Sequence, residues 1–492
     1  MASYSVPLFK VFMAPPSELD APTLDVLHSG YITQGKKVEE FEESLAAFFG
    51  NPRVLTLNSA TSGLHLALHL LHKPMPEENW PGLTENVDEV LTCPLTCTAT
   101  NWPILANRLR IKWVDADPRT CNICLADLEH KLSPTTKVIV LVHWGGSPVD
   151  LDRVARMQEV CFQRFGFRPR VIEDCAHAIG AEQNGRKLGN HGNMCVFSLQ
   201  AIKHLTSVDG GLLVLPTQRL YERGKLLRWF GIDRNKRSGS GDFRMEPDVP
   251  EYGFKFHMND LNATIGLANL AHLPRLLQAC RENAAHLSEH LVQLPGLTAL
   301  DALPMGTRSA YWLYTLRVPA AWRARFFAHM QSRGVMVSAV HQRNDVHSCV
   351  ARFATMLPQL NELAEELVCI PVGWWLTAAD RERIVDAIKT YSATYQAEAH
   401  LPNAPRVAPA KKRPRCLVTG GCGFIGHHTV EHLVLNTDYQ IVVLDRLSYA
   451  SKGYDRLRDT GVFHQIETFC FDLNNPMPPG LFYEMAAETI EV

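Results

Sequence analysis

Charge of one sign is not in excess in this chain: Lys and Arg total 49 against 51 Asp and Glu, a formal charge of -2 at pH 7. Such a balance supplies no general field for holding nucleic acid, so no nucleic-acid partner is expected. The 13 cysteines lie scattered from Cys93 to Cys470 without a small repeating framework. That excludes a disulfide-stapled miniprotein and points to a reducing compartment, with the cytoplasm as the expected location. Cys121 and Cys124 make one CxxC pair. Zinc would need a second ligand pair nearby and a redox role would need the pair at a helix start, so ordinary thiols are the simpler reading and no metal is expected. The opening MASYSVPLFKVFMAPPSELD lacks the uninterrupted apolar core of a signal peptide, and VLTLNSATSGLHLALHLLH is broken by Asn, Ser, Thr and His. Neither reads as a membrane span.

What is present is ordinary globular material: 492 residues, 46% apolar and 20% charged. At about 150 residues per domain this suggests two or three domains. In KKVEEFEESLAAFF, Val38, Phe41, Leu45 and Phe48 recur at spacings of three and four, which predicts a helix ended by Gly50 and Pro52. VLTLN at 54–58 reads as a strand, NSAT as a turn, and TSGLHLALHLLH at 61–72 as the next helix. DEVLTCP, RIKWVDADP, KVIVLVHWGG and PRVIEDCAHAIGA alternate with helical stretches, as a sheet with covering helices would. RNKRSGSGDFR, within 233–250, reads as a polar loop, and WLYTLRV, AWRARFFAHMQSRG and ERIVDAIKTY suggest a second α/β domain. The expected divisions are a large domain at 1–264, a small one at 265–395, a proline-rich linker at 396–414 and a separate segment at 415–492.

Several residues fall where a sheet would present them together. Asp174 closes the VIE strand, Ser198 closes VF, and Lys203 follows within FSLQAIK. Pyridoxal phosphate is an economical occupant of such a site, because a lysine amine condenses with its aldehyde while a carboxylate keeps the pyridine nitrogen protonated. Backbone donors of the NSAT turn, the Thr61 hydroxyl and Ser198 would meet a phosphate at a helix start. The bland alternative makes Asp174 a helix cap and Lys203 a surface charge.

The ordered series GYITQGKKVEEFE, NSATSGLHLAL, VHWGGSPVDLD, EDCAHAIGA, FSLQAIKHLTSVDGG, YGFKFHMNDLNATIG and CIPVGW resembles the DegT/DnrJ/EryC1/StrS sugar aminotransferases over residues 9–395. The resemblance implies a fold-type-I α/β aminotransferase with a large mixed sheet and a smaller α/β domain. It also implies a homodimer with shared active sites that uses pyridoxal phosphate and moves an amino group, from an amino acid such as glutamate, to a nucleotide-linked keto sugar. By motif, Lys203 is similar to the lysine that holds the cofactor, Asp174 to the partner of the ring nitrogen, and His177 to the residue packed near the ring or its oxygen. Ala60, Thr61 and Ser198 match phosphate-binding positions, although the common SGT is SAT here and Ala60 lacks glycine's freedom. Cys97 stands where an aromatic is expected against the cofactor, leaving ring packing to sulfur or to Trp102. Lys255 and His257 replace members of an NxR pattern in a segment that often crosses the dimer; Lys255 is assigned to the cofactor phosphate and His257 to substrate.

Arg228, Arg234 and Arg237 are candidates to meet a diphosphate or a carboxylate, with Arg234 preferred for substrate. VHQRNDVH suggests a substrate-facing loop in which His341 contacts sugar, in preference to a metal site with His347. The resemblance leaves two alternatives: a related sugar dehydratase, against which Lys203 counts because histidine is associated with that chemistry, and a noncatalytic regulatory or scaffold protein.

From Arg415 the chain reads strand, glycine-rich turn, helix and strand. Gly420, Gly423 and Gly426 sit in the turn and Asp445 closes the second strand, a pattern that suits NAD or NADP. With LDRLSYAS it resembles the start of NAD-dependent epimerases and dehydratases. A later YxxxK pair is not found, so a truncated, Rossmann-like segment without its own redox chemistry is expected.

Overall fold

The computed structural model describes residues 4–233, 248–291, 293–300, 304–401, 415–437, 439–447, 454–470 and 472–473. Arg234, Arg237, most of the polar loop, most of the proline-rich stretch and the end of LDRLSYAS lie outside the described residues. The chain divides into two compact units, Met1–Ala404 and Pro405–Val492.

The first unit opens with α1 (Pro16–His28), α2 (Lys36–Phe49), β1 (Val54–Leu57) and α3 (Ala60–Leu70). Then follow β2 (Glu89–Thr92), α4 (Thr98–Ala106), β3 (Arg110–Trp113), α5 (Leu125–Lys131), β4 (Thr136–Val142), α6 (Leu151–Phe165) and β5 (Arg170–Asp174). A hairpin of β6 (Glu182–Gln183) and β7 (Arg186–Lys187) precedes β8 (Met194–Ser198), β9 (Gly211–Val214), α7 (Gln218–Leu227), α8 (Asp260–Leu270) and α9 (Leu273–Leu291). Seven strands form one sheet in the order β1-β9-β8-β5-β4-β2-β3. All pairs are parallel except those of β9, which runs antiparallel to β1 and β8. Parallel strands covered on both faces need apolar side chains throughout, and the TKVIVLV run of β4 meets that need with buried residues at all but one position. α2 buries Val38, Phe41, Leu45 and Phe49, so its inward face takes Phe49 in full while Phe48 packs at the margin.

The rest of the unit comprises β10 (Thr298–Ala299), β11 (Thr307–Arg308), β12 (Tyr314–Arg317), α10 (Ala320–Ser332), α11 (Pro358–Glu366), β13 (Leu367–Ile370) and α12 (Ala378–Glu398). β11 pairs with β6, while β10, β12 and β13 make a small antiparallel sheet. A second core of Leu316, Phe326, Ile384 and Ile388 packs there. α9 joins the two, giving Leu273 and Leu277 to the large core and Ala284, Leu287 and Leu291 to the small one. α12 continues through Glu398, into the stretch whose prolines suggested a linker from residue 396.

The second unit holds β14 (Arg415–Thr419), α13 (Gly426–Asn436), β15 (Gln440–Asp445), α14 (Asp455–Asp459) and β16 (Glu467–Cys470) in a parallel sheet of order β14-β15-β16. Val430, Ile441, Val443 and Leu457 form its core. The turn closes so tightly that a Cβ on Gly426 would lie 2.1 Å from the Gly420 carbonyl oxygen, which only glycine tolerates.

Candidate active site

Ligands of open α/β sheets gather beyond the carboxyl ends of the strands. At that edge the ends of β5 and β8, the start of α3 and the loop 199–210 enclose a cavity of about 430 Å³, within the roughly 300–1,000 Å³ range of small-molecule sites. Asp174, His177, Ser198, Lys203, Ala60, Thr61, Cys97 and His341 all line it.

Asp174 ends β5 with both oxygens engaged. Thr100 Oγ1 donates to Oδ2 at 2.7 Å and the Ala176 N–H donates to Oδ1 at 3.0 Å. Burial raises its carboxyl above the usual range, opposed by these two donors and by the Lys203 charge. Lys203 stands on a turn closed by its own N–H to the Gln200 carbonyl, 2.9 Å. Burial lowers its amine to about 8, with Asp174 and then Cys97 acting in the opposite sense. A far larger fraction is therefore the free base near neutrality than for an ordinary lysine.

At the start of α3, Ser59 caps the helix by accepting from the Ser62 N–H at 3.1 Å. Ala60 is the first helical residue and is not among those with positive φ, so this turn does not use the conformational freedom that glycine would bring. Thr61 and Ser198 both line the cavity at this helix start, an end of a helix whose unpaired backbone N–H groups suit an anion.

His177 is 4% exposed, and its Nδ1 has no hydrogen-bond partner among the described residues. Burial, reinforced by Lys203, His341 and His204, holds it well below the usual histidine range. Its ring lies 3.8 Å from that of Trp312 at 18° and 5.6 Å from that of His341 at 11°. His341 is lowered to about 4, by burial and then by Lys203. Both imidazoles are neutral near pH 7 and offer hydrogen bonds without charge.

These residues fit pyridoxal phosphate. The start of α3 with Thr61 and Ser198 would hold the phosphate, Asp174 the ring nitrogen, and Lys203 the aldehyde. The unsatisfied His177 Nδ1 in the cavity wall marks a polar partner still to be supplied.

The other expected residues are placed differently. Trp102 does not line the cavity; its ring meets His347 at 5.7 Å, and the aromatic at the site is Trp312. Nothing in WLYTLRV separates Trp312 from a core residue by spacing. Lys255 is exposed and the His257 ring packs 3.8 Å from Trp229; neither lines this chain's own cavity. Their segment runs beside the sheet edge, where Asn58 N–H donates to the Phe256 carbonyl at 2.7 Å. Arg228 is 1% exposed, ion-paired with Glu42, and donates to the Thr56 carbonyl at 2.9 Å. It serves the core and is unavailable to a diphosphate. Behind Asp174, His143 Nδ1 accepts the Val149 N–H at 3.0 Å, so its Nε2 carries the proton donated to Glu173 at 2.9 Å. With Cys175 these two make a buried group of metal-ligand type, but the hydrogen bonds already occupy both ring nitrogens. In the second unit, Asp445 accepts from the Cys422 N–H at 3.0 Å and the Leu447 N–H at 2.8 Å.

A mixed seven-stranded sheet with lysine, aspartate and a helix start at its edge is the architecture of the fold-type-I, pyridoxal-phosphate-dependent aminotransferases. Residues 17–389 match the DegT/DnrJ/EryC1/StrS aminotransferase family, and the chain belongs to it. Residues 416–472 match the NAD dependent epimerase/dehydratase family. The chain is similar to AtS13 from Actinomadura melliaura, with 48% identity, coverage of 79% of this chain and 100% of that one, and a TM-score of 0.73. It is similar to the sugar aminotransferase CalS13 from Micromonospora echinospora, with 44% identity, coverage of 78% and 99%, and a TM-score of 0.73. It is also 32% identical over 298 residues to the uncharacterized protein MJ1066 of Methanocaldococcus jannaschii, 60% of this chain and 72% of that one.

Proposed function

We propose that this chain transfers an amino group from an amino acid, glutamate, to the keto carbon of a nucleotide-linked sugar, with pyridoxal phosphate as its cofactor. The observation that carries this reading is the meeting of Lys203, its amine lowered to about 8, with the buried Asp174 in one cavity. When bound, the cofactor supplies an electron sink that stabilises the charge left when a Cα proton departs. Asp174 holds the proton on the ring nitrogen. The start of α3 with Thr61 and Ser198 would anchor the phosphate, and Lys203 Nζ would take the proton from the donor's Cα. His177 orients the ring through its oxygen, and His341 meets the sugar. Lys203→Ala should abolish borohydride trapping of the cofactor and amine transfer; a variant that retains both would overturn the assignment. A panel of nucleotide keto sugars incubated with glutamate, read by product mass, identifies the acceptor.

The homodimer is part of the same proposal. Tyr31, Ile32, Val208 and Tyr252 are large, exposed apolar side chains. Two of their segments are tied to α8 near the cavity, where Asp260 N–H donates to the Thr33 carbonyl at 2.9 Å and Asn262 Nδ2 donates to the Ser207 carbonyl at 2.9 Å. A second copy seated there would bring Lys255 and His257 toward its partner's site; sedimentation at micromolar concentration tests it. No described helix is long and apolar enough to cross a membrane. The cytoplasm suits a chain with exposed free thiols at Cys97, Cys349 and Cys470. The turn Gly420 to Gly426 is assigned to NAD or NADP, which calorimetric titration checks.

A further inference from the structure

Trp312 reaches the cavity from beyond the large sheet, just before β12. Its backbone N–H donates to the Gly145 carbonyl at 2.8 Å, and the Ala310 N–H donates to Gly146 at 3.0 Å. The contact is close: Gly146 has φ +98°, and a Cβ there would lie 2.8 Å from Tyr311 N and 2.9 Å from the His177 carbonyl oxygen. Larger residues would push the strand away and withdraw the indole.

From this anchored position the side chain makes four contacts at once. Nε1–H donates to the Ile202 carbonyl at 3.0 Å, gripping the backbone immediately before Lys203. Lys203 Nζ sits 3.6 Å from the ring centre. His177 stacks at 3.8 Å, and Phe9 stacks at 4.8 Å and 23°. A buried indole N–H takes an acceptor wherever it lies; here the acceptor is the carbonyl next to the lysine, and the same ring also meets the lysine amine and the His177 face.

We infer that Trp312 is a positioning residue for this reaction, holding the Lys203 amine and the His177 ring in register through its indole face. The inference rests on the transaminase reading above. Trp312 lines the same cavity as Cys97, and its faces are taken up by His177 and Phe9.

The full chain, loaded with pyridoxal phosphate, is mixed with glutamate and the decay of the cofactor's absorbance is followed in a single turnover. Trp312→Leu fills space without a ring face and should slow the decay about thirtyfold, with the dissociation constant of glutamate nearly unchanged. Trp312→Phe keeps a face but loses the donor to Ile202, and should return the rate to within about fivefold of wild type. Borohydride should still trap the cofactor on Lys203 in each. If Trp312→Leu does not fold, Trp312→Met carries the same arm, because its flexible chain fills irregular space. A Leu or Met variant reacting at the wild-type rate, a loss confined to glutamate binding, or a Phe variant as slow as Leu overturns the role of Trp312. A wild-type chain that traps no cofactor overturns the transaminase reading instead.

Discussion

The Thr100 hydroxyl donates a 2.7 Å hydrogen bond to the Asp174 carboxylate from the first turns of α4. Thr96 and Thr100 hydroxyls are themselves 2.8 Å apart, so a relay of side chains points at the buried acid proposed to meet the ring nitrogen. Burial alone would favour a neutral carboxyl; the threonine helps keep it charged. Removing the donor in Thr100→Val should raise the Asp174 carboxyl further. The acid limb of the kcat profile then moves to higher pH, since protonation now occurs earlier as pH falls. Asp174→Asn, which removes the charge, should slow single-turnover transamination by about a hundredfold with little change in melting temperature. A Thr100→Val profile superimposable on wild type would show that the hydroxyl does not tune the acid.

Lys203 supplies a second pH signature. Its amine is lowered to about 8, chiefly by burial. The chain without cofactor should therefore capture pyridoxal phosphate at a rate that rises with pH and levels off just above 8, because only the free base attacks the aldehyde. Stopped-flow capture across pH 6 to 10 measures this. A rate still climbing at pH 10 would mean that the lysine behaves as if in water.

The parts of this site that were legible in the sequence are those set by local geometry. Asp174 and Ser198 close strands, Thr61 lies in the first turn of a helix and Lys203 follows β8 on a short turn, and the sheet order brings those places to one edge. Trp312 was not legible, because it arrives through backbone pairing with Gly145, a contact distant in sequence. Trp102, the nearer tryptophan, turns to His347. Arg228 misled for the same reason: an arginine at a helix end carries no trace of Glu42, 186 positions away. The glycine expected in NSAT is unnecessary because the first residue of α3 is already helical.

His143, just past β4, and Glu173 on β5 form a buried pair, with Asn193 Nδ2 donating to the second Glu173 oxygen at 2.7 Å. Burial pushes this carboxyl up, but the His143 and Asn193 donors outweigh it and the net shift is downward. A carboxyl lowered on folding stabilises the chain above its unfolded value, about 4.3. That contribution is lost as pH falls through the lower folded value. Glu173→Ala should cost about 3 kcal/mol at pH 7 and should flatten the stability loss in acid, as read by denaturant titration at pH 7 and pH 4. Equal pH dependence in the two proteins would remove Glu173 from the acid response.

Val208 carries the last test. It is a β-branched residue with φ +73°, exposed, one position before the cavity-lining Asp209. Left-handed backbone crowds Cβ against the following carbonyl, and branching adds to the cost. The turn is held in place from outside: Asn262 Nδ2 donates to the carbonyls on either side, Ser207 at 2.9 Å and Asp209 at 2.6 Å, while the Val208 N–H donates to Thr206 Oγ1 at 3.0 Å. Val208→Gly relieves the strain but loosens the unfolded chain, two effects of opposite sign, and the strain term is the larger for a branched side chain. The variant should be more stable by about 1 kcal/mol, seen as a rise in melting temperature by calorimetry. Asn262→Ala removes the clamp and should lower stability by about 1 to 2 kcal/mol. A Val208→Gly protein that melts below wild type would show that the valine gains more from its surroundings than its backbone loses.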